Sequence, residues 1–232
     1  MLSRLWEQEQ PQSVLVAWDT LSTPTYRHEA YAPYQSGRVF DDSILEQLEV
    51  LPELVSAMGF IVAKEPGYEA DDFLAAASLA WPGEVLVATS DRDAFQLARP
   101  NVTILQPTRG VSEVARIGPD EVRERYGVEP EQVPDLIALR GDPSDRLPGA
   151  RGVGPKKAAE ILARYGTLEN AIADGRFAAE AEELRLFRRI ATMDASAPLP
   201  PLEVTSPTWA EASSFLAGLG LARVAERVAA LA

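Results

Sequence analysis

The sequence has no cysteine among its 232 residues and a single histidine, His28. Disulfides, thiolate metal sites and cysteine nucleophiles are therefore excluded, a usage that fits a cytoplasmic protein. One histidine argues against a serine–histidine relay and against a histidine-rich metal site. Lysine is nearly as scarce, present only at Lys64, Lys156 and Lys157. No apolar run reaches membrane-spanning length, and the opening residues 1–7 turn polar too soon for a secretory signal. Carboxylate is what the chain has in excess: 35 Asp and Glu stand against 22 Lys and Arg, for a net charge of −13. Any chemistry falls to these acids. Hydrophobic residues at 46% and charged residues at 25% are ordinary globular values, which excludes disorder. The length suits one large domain, or a domain with a smaller appendage.

Short continuous apolar runs at Val14–Trp18, Val85–Thr89 and Val102–Leu105 read as buried parallel strands. Residues 43–58 and 69–80 between them carry apolar side chains at helical spacing. This alternation predicts an α/β fold, a mostly parallel sheet with flanking helices, and places ligands beyond the carboxyl ends of the strands. From Pro119 onward the patterns are helical only, at 120–126, 130–140, 155–165, 168–173 and 178–193. Residues 197–207 read as an extended proline-rich connector. Thr208 and Glu211 have the spacing of a capping box opening the closing helices. We expect an α/β core over 1–110 and a helical subdomain over 111–232.

Four acidic clusters fall at strand ends or in loops: Asp19; Glu69, Asp71 and Asp72; Asp91 and Asp93; Asp142 and Asp145. Singly, each has a bland reading, as helix-capping acids or turn residues. Gathered at one rim they would repel one another unless divalent cations with a preference for oxygen ligands relieved them. Magnesium or manganese fits that description. Residues 26–38 interleave aromatics with bases (Tyr26, Arg27, Tyr31, Tyr34, Arg38), a pattern suited to stacking on nucleobases beside phosphates, or to an ordinary loop. Residues 149–159 carry Gly152 and Gly154 ahead of Pro155, Lys156 and Lys157. A helix starting there aims its free N–H groups and two ammonium groups at an anion, as a helix–hairpin–helix near 134–166 requires. The bases between Arg140 and Arg164 form a local cationic patch on an acidic chain.

With these stretches in family order and spacing, the sequence resembles the 5′ nuclease family. That family comprises the flap endonucleases and the 5′–3′ exonuclease domain preceding bacterial DNA polymerase I. The residues carrying the resemblance are 26–31, 67–72, 90–93, 139–145 and the hairpin 152–157. It implies a metal-dependent nuclease that hydrolyses DNA phosphodiesters at 5′ ends and flaps, in replication and repair. It also implies two ions: one held by Asp19, Glu69, Asp71, Asp72 and Asp91, the second involving Asp93, Asp142 and Asp145. Asp71, Asp91 and Asp142 would belong to the reaction centre, and Arg38 matches a base at the scissile phosphate. Tyr26, Arg27, Tyr34 and Arg38, in an arch near 24–42, and Gly152, Gly154, Lys156 and Lys157 would bind DNA. A potassium ion at the hairpin and a separate DNA polymerase as partner are further implications.

The sequence departs from the family pattern in three places. Gln35 stands where the family has a lysine beside the arch tyrosine, and Asp145-Arg146 replaces a frequent Asp-Asn pair. The family also begins with a strand bearing another metal-binding Asp, whereas Leu2, Leu5 and Trp6 already have helical spacing. The chain resembles a stand-alone member of the family, and we expect that its natural product is longer than this chain, or that this chain is a poorly active truncation. Two rival readings follow: a catalytically impaired, structure-specific DNA-binding protein with a relic metal site, and a magnesium-dependent phosphatase with Asp91 as nucleophile.

Overall fold

The computed structural model describes residues 1–37, 39–109 and 113–232. Helix α1 (Leu2–Glu9) leads into strand β1 (Leu15–Ala17), followed by the short helix α2 (Tyr26–Ala30) and the long α3 (Asp42–Ala57). Strand β2 (Ile61–Ala63) pairs parallel to β1, Leu15 opposite Ile61 and Ala17 opposite Ala63. Helix α4 (Ala70–Ala80) connects to β3 (Val85–Ala88), which pairs parallel to β4 (Val102–Arg109). Strand β5 (Glu113–Ile117), just past the expected boundary at residue 110, turns back antiparallel onto β4. Among the described residues seven helices follow: α5 (Pro119–Tyr126), α6 (Val133–Arg140), α7 (Pro155–Tyr165), α8 (Leu168–Ala173), α9 (Ala181–Ala191) and the closing pair α10 (Trp209–Gly218) and α11 (Ala222–Ala229). The chain is α/β as expected, although among the described residues the strands form two small sheets, β1–β2 and β3–β4–β5.

Helix α6 is the centre of the larger core. All residues from Val133 to Leu139 are buried in that core, with α7 and α9 packed against the helix. Its one buried acid, Asp135, accepts the Leu168 N–H at 3.0 Å and pairs with Arg188 on α9. A buried carboxylate with those two partners joins three helices at fixed positions.

A second core lies under the β1–β2 sheet, where α10 and α11 return to pack on α3 and α1. Trp209 meets Trp6 edge-on at 5.3 Å between centroids and Phe60 at 5.7 Å. Gly59 makes this return possible: its φ is +76°, and a Cβ there would stand 2.6 Å from the Ser206 carbonyl oxygen. The capping box expected at Thr208 does not form. The Thr208 hydroxyl donates to the Ala57 carbonyl at 2.8 Å, so it joins α10 to the end of α3.

Candidate active site

Three acidic segments arrive at one place because parallel strands end on the same side. Asp19 lies just beyond β1, α4 begins after β2, and Asp91 and Asp93 follow β3. The turn after α6 brings a fourth. Together Asp19, Glu69, Asp71, Asp91, Asp93 and Asp145 line a cavity of about 250 Å³. Such a crevice beyond the carboxyl ends of the strands is where α/β sheets bind ligands.

The first turn of α4 is built around its own acids. Asp19 Oδ1 accepts the Ala70 N–H at 2.7 Å, which satisfies one of the helix's free donors. Glu69 is the N-cap; its Oε1 accepts from the Thr25 hydroxyl at 3.0 Å and its Oε2 from the Tyr34 hydroxyl at 2.9 Å. Burial raises the Glu69 pKa, while Arg27, Tyr34 and Thr25 pull it back. Asp71 is pushed up to about 7, by burial first and then by the charges of Asp91 and Asp19. Across the cavity Asp91 Oδ1 accepts the Asp93 N–H at 2.8 Å. Asp93 is pushed up to about 8, chiefly by burial and then by Asp91, Asp142 and Asp145, with Arg140 acting in the opposite direction. Asp142 stands outside the cavity wall. Its backbone exchanges two 2.8 Å hydrogen bonds with Leu147, and its Oδ1 accepts the Ser144 N–H at 2.7 Å.

Expectations for four residues change with the geometry. Asp72, expected among the metal ligands, is 0% exposed and turned away from the cavity. Its oxygens accept from both terminal nitrogens of Arg27, at 2.9 and 2.7 Å, and from the backbone N–H groups of Glu69 and Asp194. A carboxylate engaged this way has no lone pair left for a cation in the cavity. Arg27, expected on DNA, is 3% exposed for the same reason. Tyr34 is buried and bound to Glu69 rather than presented for stacking, and the Tyr26 hydroxyl reaches Asp72 and the Thr192 carbonyl, each at 3.4 Å. Gln35, which sequence reasoning treated only as a departure, donates from Nε2 to the Tyr34 hydroxyl at 2.8 Å and to Asp145 at 3.0 Å. It thereby bridges the Glu69 and Asp145 sides of the cavity, at a φ of +45°. Arg38 lies outside the described residues. Nothing in the sequence flagged the Arg27–Asp72 pair, because its other partners lie more than 100 residues downstream.

The basic turn stands apart from the cavity wall. Gly154 caps α7, Pro155 is its first residue, and Gly152 has a φ of +68° with open space where a Cβ would stand. Lys156 and Lys157 are exposed, and Lys157 Nζ donates to the Gly152 carbonyl at 3.2 Å. Beneath them Gly149 and Gly141 meet backbone to backbone. A Cβ on Gly149 would stand 2.4 Å from the Gly141 nitrogen.

The donor set defines the cation that fits. It offers oxygen only, it is half-buried, and two of its acids hold their protons near neutrality, through burial first and then through the charge of neighbouring acids. Among the described residues no three acids form a ready-made cage. A divalent cation that prefers oxygen ligands fits such a set.

Comparison with known proteins places the chain in a family. The profile of a family described as "5'-3' exonuclease, N-terminal resolvase-like domain" matches residues 1–127, and that of "5'-3' exonuclease, C-terminal SAM fold" matches residues 128–211. DNA polymerase I of Mycobacterium tuberculosis is 44% identical over 176 residues, covering 74% of this chain and 19% of that polymerase. The thermostable DNA polymerase I of Thermus thermophilus is 38% identical over 204 residues, covering 81% and 24%. The chain thus spans about a fifth of the length of the curated relatives it matches. Among solved structures, zinc-bound T5 5′-exonuclease superposes with a TM-score of 0.70 at 17% identity, covering 99% of this chain and 88% of that one. The catalytic core of Rad2 in complex with DNA substrate gives 0.58 at 18% identity, covering 94% and 77%. At these identities the two structures establish the fold. Among the described residues no helix is long and apolar enough to cross a membrane.

Proposed function

That the chain belongs to the 5′–3′ exonuclease family, through both its resolvase-like and its SAM-fold parts, is the premise from which we propose a reaction for it. It hydrolyses DNA phosphodiesters at 5′ ends or 5′ flaps, with divalent magnesium or manganese in the carboxylate cavity. The observation carrying this reading is that cavity: six acids, two of them protonated near neutral pH, with too little positive charge of their own. Relatives described as metal-bound T5 5′-exonuclease and as Rad2 on DNA substrate support it.

In this reading Asp19, Glu69, Asp71 and Asp91 would hold one ion, and Asp93, Asp142 and Asp145 a second. Bound there, such ions supply a water of lowered pKa and positive charge opposite the phosphate oxygens. The protein's own part is positional. Thr25 and Tyr34 fix the two oxygens of Glu69, Asp19 fixes the start of α4, and Asp91 fixes the turn carrying Asp93. Asp71 and Asp93 give up their protons on loading. Arg38 would face the scissile phosphate from the arch over residues 24–42. The turn at Gly152–Gly154, as a helix–hairpin–helix with Lys156 and Lys157, would hold the duplex backbone with a potassium ion at its N–H groups. Division near residue 110 into a nuclease core and a DNA-gripping half, and action beside a separate polymerase in replication and repair, complete the proposal.

A labelled 5′-flap duplex with magnesium, manganese or EDTA tests it. Cleavage with either metal and none in EDTA is expected. Binding without cleavage would favour the catalytically impaired DNA binder instead. Turnover of p-nitrophenyl phosphate without flap cleavage would favour the phosphatase.

A further inference from the structure

The Arg27 guanidinium borders the cavity and is almost wholly buried. Its terminal nitrogens grip both oxygens of Asp72, and one stands 3.4 Å from Glu69 Oε2. Its Nε donates to the Ile190 carbonyl at 2.9 Å, and Nη2 also reaches the Thr192 carbonyl at 3.2 Å. These carbonyls lie at the carboxyl end of α9, where a helix leaves acceptors unsatisfied. Asp72 in turn accepts the Glu69 N–H at 3.0 Å and the Asp194 N–H at 2.8 Å. Gln96, behind Asp93, repeats the pattern: it donates to the Asp93 and Ala191 carbonyls and accepts the Met193 N–H. The turn ending α9 is thus bonded to both acidic segments, and Ile190, Ala191 and Met193 line the cavity floor.

We propose that Arg27, with Asp72, is a positioning residue for the carboxylate cavity, locking the first turn of α4, from which Glu69 and Asp71 enter it, to the end of α9. Planarity is what this task needs. One guanidinium serves a carboxylate in parallel and two carbonyls at fixed angles, which a lysine ammonium cannot reproduce. The helical half of the chain then sets the separation of the acids, and Arg27 makes no contact with DNA. Removal of a residue that orients ligands from behind commonly costs 10–100-fold in metal affinity or activity.

This inference rests on the proposed nuclease reading only in its activity arm. Arg27→Lys, Arg27→Met and the double variant Arg27→Met with Asp72→Leu are compared with wild type. The double variant replaces the buried pair by apolar groups of similar size and keeps the protein folded if the single variant fails. Manganese binding is read by electron paramagnetic resonance without DNA, flap cleavage as separate kcat and KM, and amide hydrogen exchange on the metal-free protein. We expect manganese affinity and kcat to fall roughly 10–100-fold in all three, with KM for the flap within about twofold of wild type. Exchange should quicken at Glu69, Asp72 and Asp194 while Leu136–Leu139 in α6 stay protected. A raised KM with unchanged kcat and manganese affinity would make Arg27 a DNA contact and overturn the proposal. Unchanged exchange at the start of α4 would overturn it independently of any activity. A wild type that neither binds manganese nor cleaves, with exchange still quickened in the variants, would count against the nuclease reading alone and leave this inference supported.

Discussion

The Tyr34 hydroxyl donates to Glu69 Oε2 at 2.9 Å from a ring that is 3% exposed, so an arch aromatic forms part of the acid site's wall. The same hydroxyl accepts from Gln35. Tyr34→Phe therefore removes one hydrogen bond from Glu69 and one from Gln35, and we expect it to lower stability by about 1–3 kcal/mol in urea titrations. It should also raise the Glu69 pKa further, since the lost bond favours the carboxylate. A variant as stable as wild type, with an unchanged Glu69 titration by carbon NMR, would show that the bond contributes nothing.

Asp71 and Asp93, at about 7 and about 8, hold protons that an unfolded aspartate has already lost. Between about pH 4 and those values the metal-free folded state binds more protons than the unfolded chain, so its stability falls as pH rises through this window. We expect the thermal midpoint of the metal-free protein to decline from pH 6 to 9. Magnesium should reduce that decline and release protons into a weak buffer at pH 7. A midpoint that climbs over this range without metal would contradict the assignment.

Asp142 and Asp145 both raise Asp93. Replacing the two by asparagine should bring Asp93 down towards the ordinary carboxylate range. Flap cleavage should be abolished, with flap binding equal or tighter because two negative charges leave the DNA-facing rim. Unchanged turnover would remove both residues from the mechanism.

Lys156 and Lys157 are exposed at the start of α7. If each contacts a phosphate, substitution by alanine should weaken duplex binding and lower the salt slope by about 1 per lysine. Manganese affinity should stay unchanged. Identical salt dependence in wild type and the double variant would reduce the patch to a solvated face.

Gly149→Ala tests the backbone beneath. Its φ is +71°, and the added Cβ would meet the Gly141 nitrogen at 2.4 Å. Two rigid main-chain segments must part, so we expect a loss of more than about 1 kcal/mol. Cleavage should be weakened through the displaced Asp142–Leu147 turn, while Gly152→Ala, with open space around it, should cost less. Equal stabilities for the two, measured by denaturation, would contradict this packing.

Much of the fold was legible because its signals are local. Val14–Trp18 and Val85–Thr89 announce β1 and β3, and the helix expected over 155–165 is α7 residue for residue. Strand β2 went unseen because Ile61–Ala63 is too short to show a period. Strand β5 was hidden by its polar members Glu113 and Arg116, which sit on an antiparallel edge. The acids were legible as a set, since strand ends converge by topology. Which acid faces the cavity was not: Asp71 and Asp72 are adjacent, and only Arg27, Ile190 and Thr192 decide that Asp72 turns away. Burial of Tyr34 and Arg27 escaped for the same reason, because alternating aromatics and bases look alike whether they face solvent or a distant partner, Glu69 for Tyr34 and the end of α9 for Arg27.

The return of Trp209 to Trp6 and Phe60 has a consequence for synthesis on the ribosome. α1 and α3 leave the apolar underside of the β1–β2 sheet only partly covered until α10 is made, about 200 residues after Trp6. From β2 to α10 is about 145 residues, so at roughly 5–20 residues per second the finished sheet waits some 7–30 s with that part of its face open. During this interval it is a target for holding chaperones and for self-association. Slowing translation near residue 200 should therefore lower soluble yield more than slowing it near residue 20.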